Sequence, residues 1–154
     1  MQRVRAASVE IDGERVGSIA LGLVVLIGVG ASDTAIDGER LAAKIASLRV
    51  FDDGSGKLQH TVADAGGSVL VVPQFTLYGD VRRGRRPDFT AAAGPELGRR
   101  LYDAFCGVLR GIGLAVSTGM FGATMQVQID AIGPVTIVVS TDRWSEGELS
   151  DRID

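Results

Sequence analysis

The sequence predicts an α+β fold in one domain. Asp12-Gly13 separates two runs of alternating apolar and polar residues, and such a dipeptide is a strong hairpin signal that favours antiparallel pairing. Two later stretches, 36–48 and 95–110, place apolar residues at helical spacing. The 154 residues suffice for one sizeable core. We therefore expect a single domain over 1–141 and a polar, flexible tail at 142–154.

The first half of the chain predicts a hairpin, a buried strand and a helix. Residues 21–29 are almost continuously apolar, which is typical of a strand buried on both faces. Ser32 or Asp33 is the expected N-cap of the helix, because short polar side chains accept hydrogen bonds from the first turn. In chain order we predict strands at 3–11, 14–19 and 21–29, a helix at 36–48, a short strand at 49–51 and a turn at 52–56.

The second half predicts further strands on either side of a second helix. An apolar run at 68–77 indicates a strand that Pro73 interrupts, since proline donates no hydrogen bond to a sheet. Pro95 suits the first turn of a helix, and Gly111 and Gly113 are suited to end it. In chain order we predict a strand at 68–77, a loop at 78–89, a helix at 95–110, and strands at 114–117, 125–129 and 135–140.

Composition narrows the classes of function. The formal net charge of −3 argues against indiscriminate nucleic-acid binding but allows a local basic patch. The single cysteine, Cys106, is interpreted as a core residue, and the single histidine, His60, as a surface loop residue. One cysteine and one histidine are too few ligands for the usual zinc site. No Gly-x-Ser-x-Gly elbow accompanies His60. The apolar run 19–29 is too short to span a membrane, and the N-terminus lacks a signal-peptide layout. We expect a cytoplasmic protein without a metal or cofactor.

Gln74 and Thr76 are the first candidate site residues. They alternate within the predicted strand 68–77, so they are expected to share one face. An amide and a hydroxyl on one face can bind a polar ligand. An exposed polar strand face is an interpretation of equal weight.

Four arginines lie within five positions of the loop that follows. They give a dense positive charge in an acidic chain, and their planar guanidinium groups match phosphate oxygens. We favour contact with tRNA or another phosphodiester over a merely solvated loop. The candidate phosphate contacts are Arg82, Arg83, Arg85 and Arg86.

Two later segments carry further candidates. Phe121 and Met125 lie in a Gly-rich stretch and could stack on an unpaired base, although taken alone they are more typical of a core. Gly133-Pro134 falls between two strand-like runs. Proline at such a place indicates an edge, a bulge or a turn, and the preceding glycine allows close approach to a ligand or another chain.

Together these segments carry a resemblance to a known family. Over nearly its whole length the chain resembles the D-aminoacyl-tRNA deacylases. The matching segments are Gln2-Arg3-Val4, Ala7-Ser8-Val9, Asp12-Gly13, Gln74-Phe75-Thr76-Leu77-Tyr78, Gly84-Arg85-Arg86-Pro87, Phe89-Thr90, Gly119 with Phe121-Gly122-Ala123 and Met125, and Gly133-Pro134-Val135-Thr136.

The resemblance implies a fold and an activity. The family's antiparallel sheets form a barrel-like or sandwich-like core with two flanking helices, and its members are homodimers. They hydrolyse the ester that joins a D-amino acid, or glycine, to the tRNA 3′ end. Carried over, Gln74 and Thr76 would be catalytic, Phe75, Phe121 and Met125 would contact substrate, and Gly133-Pro134 would enter the partner's pocket to exclude L side chains.

Two departures from the family pattern leave alternatives open. Pro73 replaces the usual serine, and Ala131 replaces the usual asparagine. A related animal branch also has proline at the first position, and its Gly-Pro peptide is trans, whereas the main branch has a cis peptide. The alternatives are a module that binds the tRNA 3′ end or a nucleotide without turnover, and an editor with altered chirality preference.

Overall fold

The computed structural model describes residues 1–141, so the predicted tail at 142–154 lies outside the described residues. Two helices and eight strands make up the regular structure of this part of the chain. They are β1 (Gln2–Ile11), β2 (Glu14–Ile19), β3 (Gly22–Ile27), α1 (Ala35–Ser47), β4 (Phe51–Asp52), β5 (Leu58–His60), β6 (Ser68–Pro73), a 3₁₀ helix (Phe75–Tyr78), α2 (Pro95–Gly111), β7 (Val116–Thr118) and β8 (Gln126–Thr136).

The predicted hairpin is confirmed. Asp12 and Gly13 have φ values of 51° and 83°, the two positive angles that a type I′ turn requires. The turn pairs Ile11 with Glu14 and so sets β1 antiparallel to β2. This hairpin forms one side of a larger sheet.

Six strands form a mixed, nearly closed barrel. The order is β2-β1-β3-β6-β7, and β8 pairs with the other edge of β1. The Ser117 hydroxyl donates to the Ser18 carbonyl at 2.9 Å, which brings β7 back to β2. The antiparallel prediction is confirmed for β1 and its partners but is wrong for β3–β6 and β6–β7, which are parallel. A parallel pair needs a crossover connection, and α1 and α2 lie in the two crossovers.

The buried core has two parts because β3 and β6 bury both of their faces. Val69 and Val71 pack in the cluster that includes α1 and α2, whereas Leu70 and Val72 pack inside the barrel. Cys106 is 2% exposed and lies in the helix-side cluster, as predicted. His60 is exposed as predicted, although it lies in β5 rather than in a loop.

Several predicted boundaries are wrong for local reasons. Strand β6 ends at Pro73, and residues 75–78 form a 3₁₀ helix instead of continuing the strand. In place of the two predicted strands at 125–129 and 135–140 there is one strand, β8, which ends at Thr136, so residues 137–140 are not in a strand. Its pairing is irregular, since Val4 pairs with Ala131 and Gln2 with Thr136, so residues 132–135 bulge. A bulge accommodates Pro134, which has no N–H to donate.

The N-cap of α1 is Thr34, not Ser32 or Asp33. Asp33 instead accepts a hydrogen bond from the Gly30 N–H at 2.8 Å. The N–H and the hydroxyl of Thr34 both donate to Asp37, at 2.8 and 2.7 Å. Within residues 1–141, no helix combines the length and the apolar character that crossing a membrane requires.

Thr34→Ala is expected to lower the free energy of unfolding by about 1 kcal/mol at neutral pH, the usual cost of losing a capping side chain. The hydrogen bonds from the Thr34 side chain and backbone hold the pKa of Asp37 below its usual value of 3.8. A lowered pKa stabilises the folded state only while the carboxyl is ionised. The difference between the two proteins should therefore shrink below about pH 4. Urea unfolding of both proteins at neutral pH and below about pH 4 measures this difference. A difference that stays the same at low pH would contradict this account.

Candidate active site

A cavity of about 370 Å³ opens where β6 ends, a size within the usual range of small-molecule sites. It brings together four of the residues that the sequence predicts, from two distant segments. A second cavity, of about 320 Å³, lies beside α1 and contains none of the predicted site residues. The predicted residues that line the larger cavity are Gln74, Phe75, Phe121 and Met125.

Gln74 and Thr76 meet through a turn and not through a strand face. Gln74 leaves the end of β6, where its N–H donates to the Ile27 carbonyl at 2.7 Å. The 3₁₀ helix then brings Thr76 back, so the Gln74 side-chain amide donates to the Thr76 hydroxyl. The prediction of a shared strand face is therefore wrong, but the two groups do lie side by side. Thr76 is exposed and lies just outside the cavity lining.

The cavity has an aromatic wall that buried hydrogen bonds hold in place. The Tyr102 hydroxyl, on α2, donates to the Val71 carbonyl at 3.0 Å and lies 3.4 Å from the Gly119 carbonyl. The rings of Tyr102 and Phe121 lie 6.0 Å apart. Burial raises the pKa of Tyr102, so its hydroxyl stays protonated as a donor. Tyr102 thus joins β6, α2 and the segment that carries Phe121.

Met125 closes the same segment. Its Sδ atom accepts a hydrogen bond from the Met120 N–H at 3.4 Å. Phe121 and Met125 are both half-buried. This burial lies between the two interpretations of the sequence, an exposed stacking residue and a core residue. The sequence did not identify Tyr102 as a site residue. A signal was present, since Tyr102 is the one residue with a hydroxyl on the buried face of α2.

Gly133-Pro134 lies in the β8 bulge, exposed and outside the cavity of its own chain. The peptide is cis, the isomer of the main family branch and not that of the animal branch. Arg3 anchors the segment: its Nε donates to the Ile132 carbonyl at 3.2 Å, and its Nη1 to the Val50 carbonyl at 2.8 Å. Gly133 has φ 115°, and a Cβ there would lie 2.6 Å from Arg3 Nη2. The positive φ favours glycine, and a side chain here would have to displace the Arg3 guanidinium.

The arginine-rich loop has a closed base. Asp80 and Asp88 exchange two backbone hydrogen bonds, of 2.7 and 2.9 Å. Arg82 pairs with the Asp80 carboxylate, at 2.6 Å for Nη2, and holds the pKa of Asp80 below its usual range. Among the described residues, no ion pair involves the three remaining arginines, which are exposed: Arg83, Arg85 and Arg86.

An aromatic contact joins this loop to the cavity. The ring of Phe89, at the end of the loop, lies 5.1 Å from the ring of Phe75 in an edge-to-face arrangement. Phe75 lines the cavity but is 58% exposed. The end of the arginine-rich loop therefore packs against a residue of the cavity lining. Across residues 1–141, no three His, Cys, Asp or Glu side chains come together in a way that could hold a metal ion.

Known proteins match this chain over nearly all of the described residues. A relative from Chloroflexus aurantiacus, named D-aminoacyl-tRNA deacylase, is 55% identical over 92% of this chain and 88% of its own. One of the same name from Fervidobacterium nodosum is 50% identical over 93% of this chain and 96% of its own.

A solved structure and a family model agree with these matches. The structure, named c-Myc DNA Unwinding Element Binding Protein, has a TM-score of 0.83 and 42% identity, and the match covers 88% of this chain and 93% of that one. The family model matches residues 1–140. The chain belongs to the D-Tyr-tRNA(Tyr) deacylase family.

Proposed function

We propose that the cavity at the end of β6 is where this protein hydrolyses the ester bond of D-aminoacyl-tRNA. The activity is that of the family and of relatives at 50–55% identity. The observation that carries the assignment to this cavity is the meeting of Gln74 and Phe75 with Phe121 and Met125 in one lining. The products are tRNA and the free D-amino acid, so the reaction is a proofreading step of translation, and a cytoplasmic location is part of this proposal.

The arrangement suits an ester that is already labile. Water attacks the ester carbonyl, and backbone N–H groups at the cavity stabilise the negative charge that develops on its oxygen. Gln74 and Thr76 contribute side-chain hydrogen bonds, and the ribose hydroxyl of the substrate assists. In residues 1–141 no hydrogen bond joins Thr76 to a carboxylate or imidazole that could act as its base. We therefore assign Thr76 to binding and orientation and not to nucleophilic attack.

Thr76→Ala is expected to lower kcat about tenfold, the effect of one lost hydrogen bond. Thr76→Ser keeps the hydroxyl and should retain most of the activity. Single-turnover hydrolysis of D-Tyr-tRNA measures both variants. A loss of about 10⁴-fold or more in Thr76→Ala, with normal binding, would instead identify the hydroxyl as the nucleophile.

The assembly that we propose is a homodimer in which each Gly133-Pro134 enters the other subunit's cavity. The segment is exposed, lies outside its own cavity and sits on β8, which pairs with β1 alone among the described strands. Main-chain groups that fill the space of an L side chain select by exclusion. Glycine has no side chain to exclude, so glycyl-tRNA mischarged on tRNA-Ala is also a substrate in this proposal.

Parallel incubation of the protein with D-Tyr-tRNA and L-Tyr-tRNA tests the function. Rapid loss of the D ester alone is the expected result. If both esters persist equally and the protein still binds tRNA, the protein is a binding module without hydrolytic activity. Preferential loss of the L ester would indicate an editor of altered chirality.

A further inference from the structure

Arg99, on α2, stands beside the aromatic wall of the cavity. Its Cζ lies 5.2 Å from the centroid of the Phe121 ring. Its Nη2 donates to the Phe121 carbonyl at 3.2 Å. Stacking and a hydrogen bond to the same residue hold the guanidinium in one place, even though Arg99 is exposed. The charge is therefore fixed at the rim of the cavity that Phe121 lines.

Gly98 makes this approach possible. A Cβ at this position would lie 3.0 Å from Cζ of Phe121, closer than ordinary van der Waals contact. Because position 98 has no side chain, the ring packs directly on α2. Gly98 itself is buried and lines the cavity, and the Arg99 guanidinium reaches the same wall through its contacts with Phe121.

Most of the Arg99 guanidinium is available to a ligand. A guanidinium has five N–H donors, and the described hydrogen bonds use one of them. Glu96 and Asp103 lie three positions before and four positions after Arg99 on the same helix, where a pair is common. The ion pairs of the described residues nevertheless join other side chains and leave Arg99 without a carboxylate partner.

The proposed substrate carries an anion next to its terminal nucleoside. When the terminal aminoacylated nucleoside occupies the cavity, the polynucleotide must leave through the mouth. The first group outside is then the phosphate that joins the terminal nucleotide to the rest of the tRNA. We propose that Arg99 binds this phosphate, a role that rests on the proposed function of the cavity. A guanidinium fork matches phosphate oxygens better than a point charge does.

Arg99→Ala is expected to raise KM for D-aminoacyl-tRNA about tenfold and to reduce the salt dependence of log KM by about 0.7, the value of one single-strand phosphate contact. The same D-amino acid esterified to adenosine carries no phosphate, so its hydrolysis should change by less than about twofold. Arg99→Lys keeps the charge and should recover part of the loss on tRNA. Arg100→Ala is the matched control, because its side chain points about 100° away around the helix and should leave both KM values unchanged.

Two kinetic outcomes and one binding outcome would overturn the proposal. An equal loss on the tRNA and on the adenosine ester would mean that Arg99 only supports Phe121, and an unchanged KM for tRNA would mean that no contact exists. If the wild-type protein hydrolyses neither ester, the proposed function is wrong. The role of Arg99 is then tested separately, by a binding measurement. The probe is then the trinucleotide CCA, which Arg99→Ala should bind about tenfold more weakly than the wild type. Equal Kd values for CCA would reject the contact.

Discussion

Replacing Arg83, Arg85 and Arg86 together by alanine is expected to weaken tRNA binding about 100- to 1000-fold at about 0.1 M salt. All three side chains are exposed, and the described ion pairs leave them unpaired. Each arginine that neutralises a phosphate releases counterions, which gives about tenfold in affinity at this salt concentration. Filter binding or fluorescence anisotropy across a salt series measures both the loss and the slope, and the slope should fall by about 2 to 3 units.

Arg82→Ala is the control within the same loop. Arg82 already pairs with Asp80, so its charge is compensated before tRNA arrives. Its replacement removes one positive charge and leaves the Asp80 carboxylate unpaired, so we expect a loss of up to about tenfold, well short of the loss in the triple variant. If the triple variant binds tRNA as tightly as the wild type at every salt concentration, the loop is only solvated. If Arg82→Ala alone matches the triple variant, the pair with Asp80 is what shapes the loop for binding.

The elements set by local signals were predictable. The positive φ angles at Asp12 and Gly13 follow from the dipeptide itself, and α2 begins at the proline that predicts its first turn. The grouping of Gln74 with Phe121 in one lining followed from the family resemblance, since nothing local links segments so far apart. Short-range chemistry therefore gave the hairpin and the helices, whereas the site needed the resemblance.

What failed depends on long-range contacts. The parallel pairing of β3 with β6 was missed, although both strands are almost continuously apolar, a pattern typical of parallel strands. Their direction is set by the crossover through α1. Strand β6 makes its last contact with β3 through the Gln74 N–H and the Ile27 carbonyl, and the 3₁₀ helix begins at the next residue. Tyr102 and Arg99 act through backbone carbonyls of residues far along the chain, Val71 and Phe121. Such partners carry no signature in the sequence.

Arg3→Ala is expected to lower the ratio of D-ester to L-ester hydrolysis about tenfold, the worth of one hydrogen bond from a charged group. Arg3 joins β1 to the β8 bulge through the Ile132 carbonyl and at the same time to the Val50 carbonyl. Its Nη2 also limits the space at Gly133. A segment that excludes one enantiomer must hold its position against the side chain that it excludes. Without this anchor, Gly133-Pro134 can move aside, and L-aminoacyl-tRNA gains access. Initial rates with D-Tyr-tRNA and L-Tyr-tRNA measure the ratio.

The change in ratio, not in stability, is the diagnostic result for Arg3. Its loss also leaves the Val50 carbonyl without the guanidinium donor, so the free energy of unfolding should fall by about 1 to 3 kcal/mol. Arg5→Ala is the matched control on the same strand, because within residues 1–141 Arg5 makes a single ion pair, an exposed one with Asp130 at 3.9 Å. Arg5→Ala should change the free energy of unfolding by no more than about 1 kcal/mol. It should change the ratio of D-ester to L-ester hydrolysis by no more than the factor that corresponds to this energy. Arg3→Lys keeps the charge but cannot reach both carbonyls with a planar fork, so it should resemble alanine in selectivity. A destabilised Arg3→Ala protein that still rejects L-Tyr-tRNA fully would show that the bulge holds its shape without Arg3, and the anchor would then be structural only.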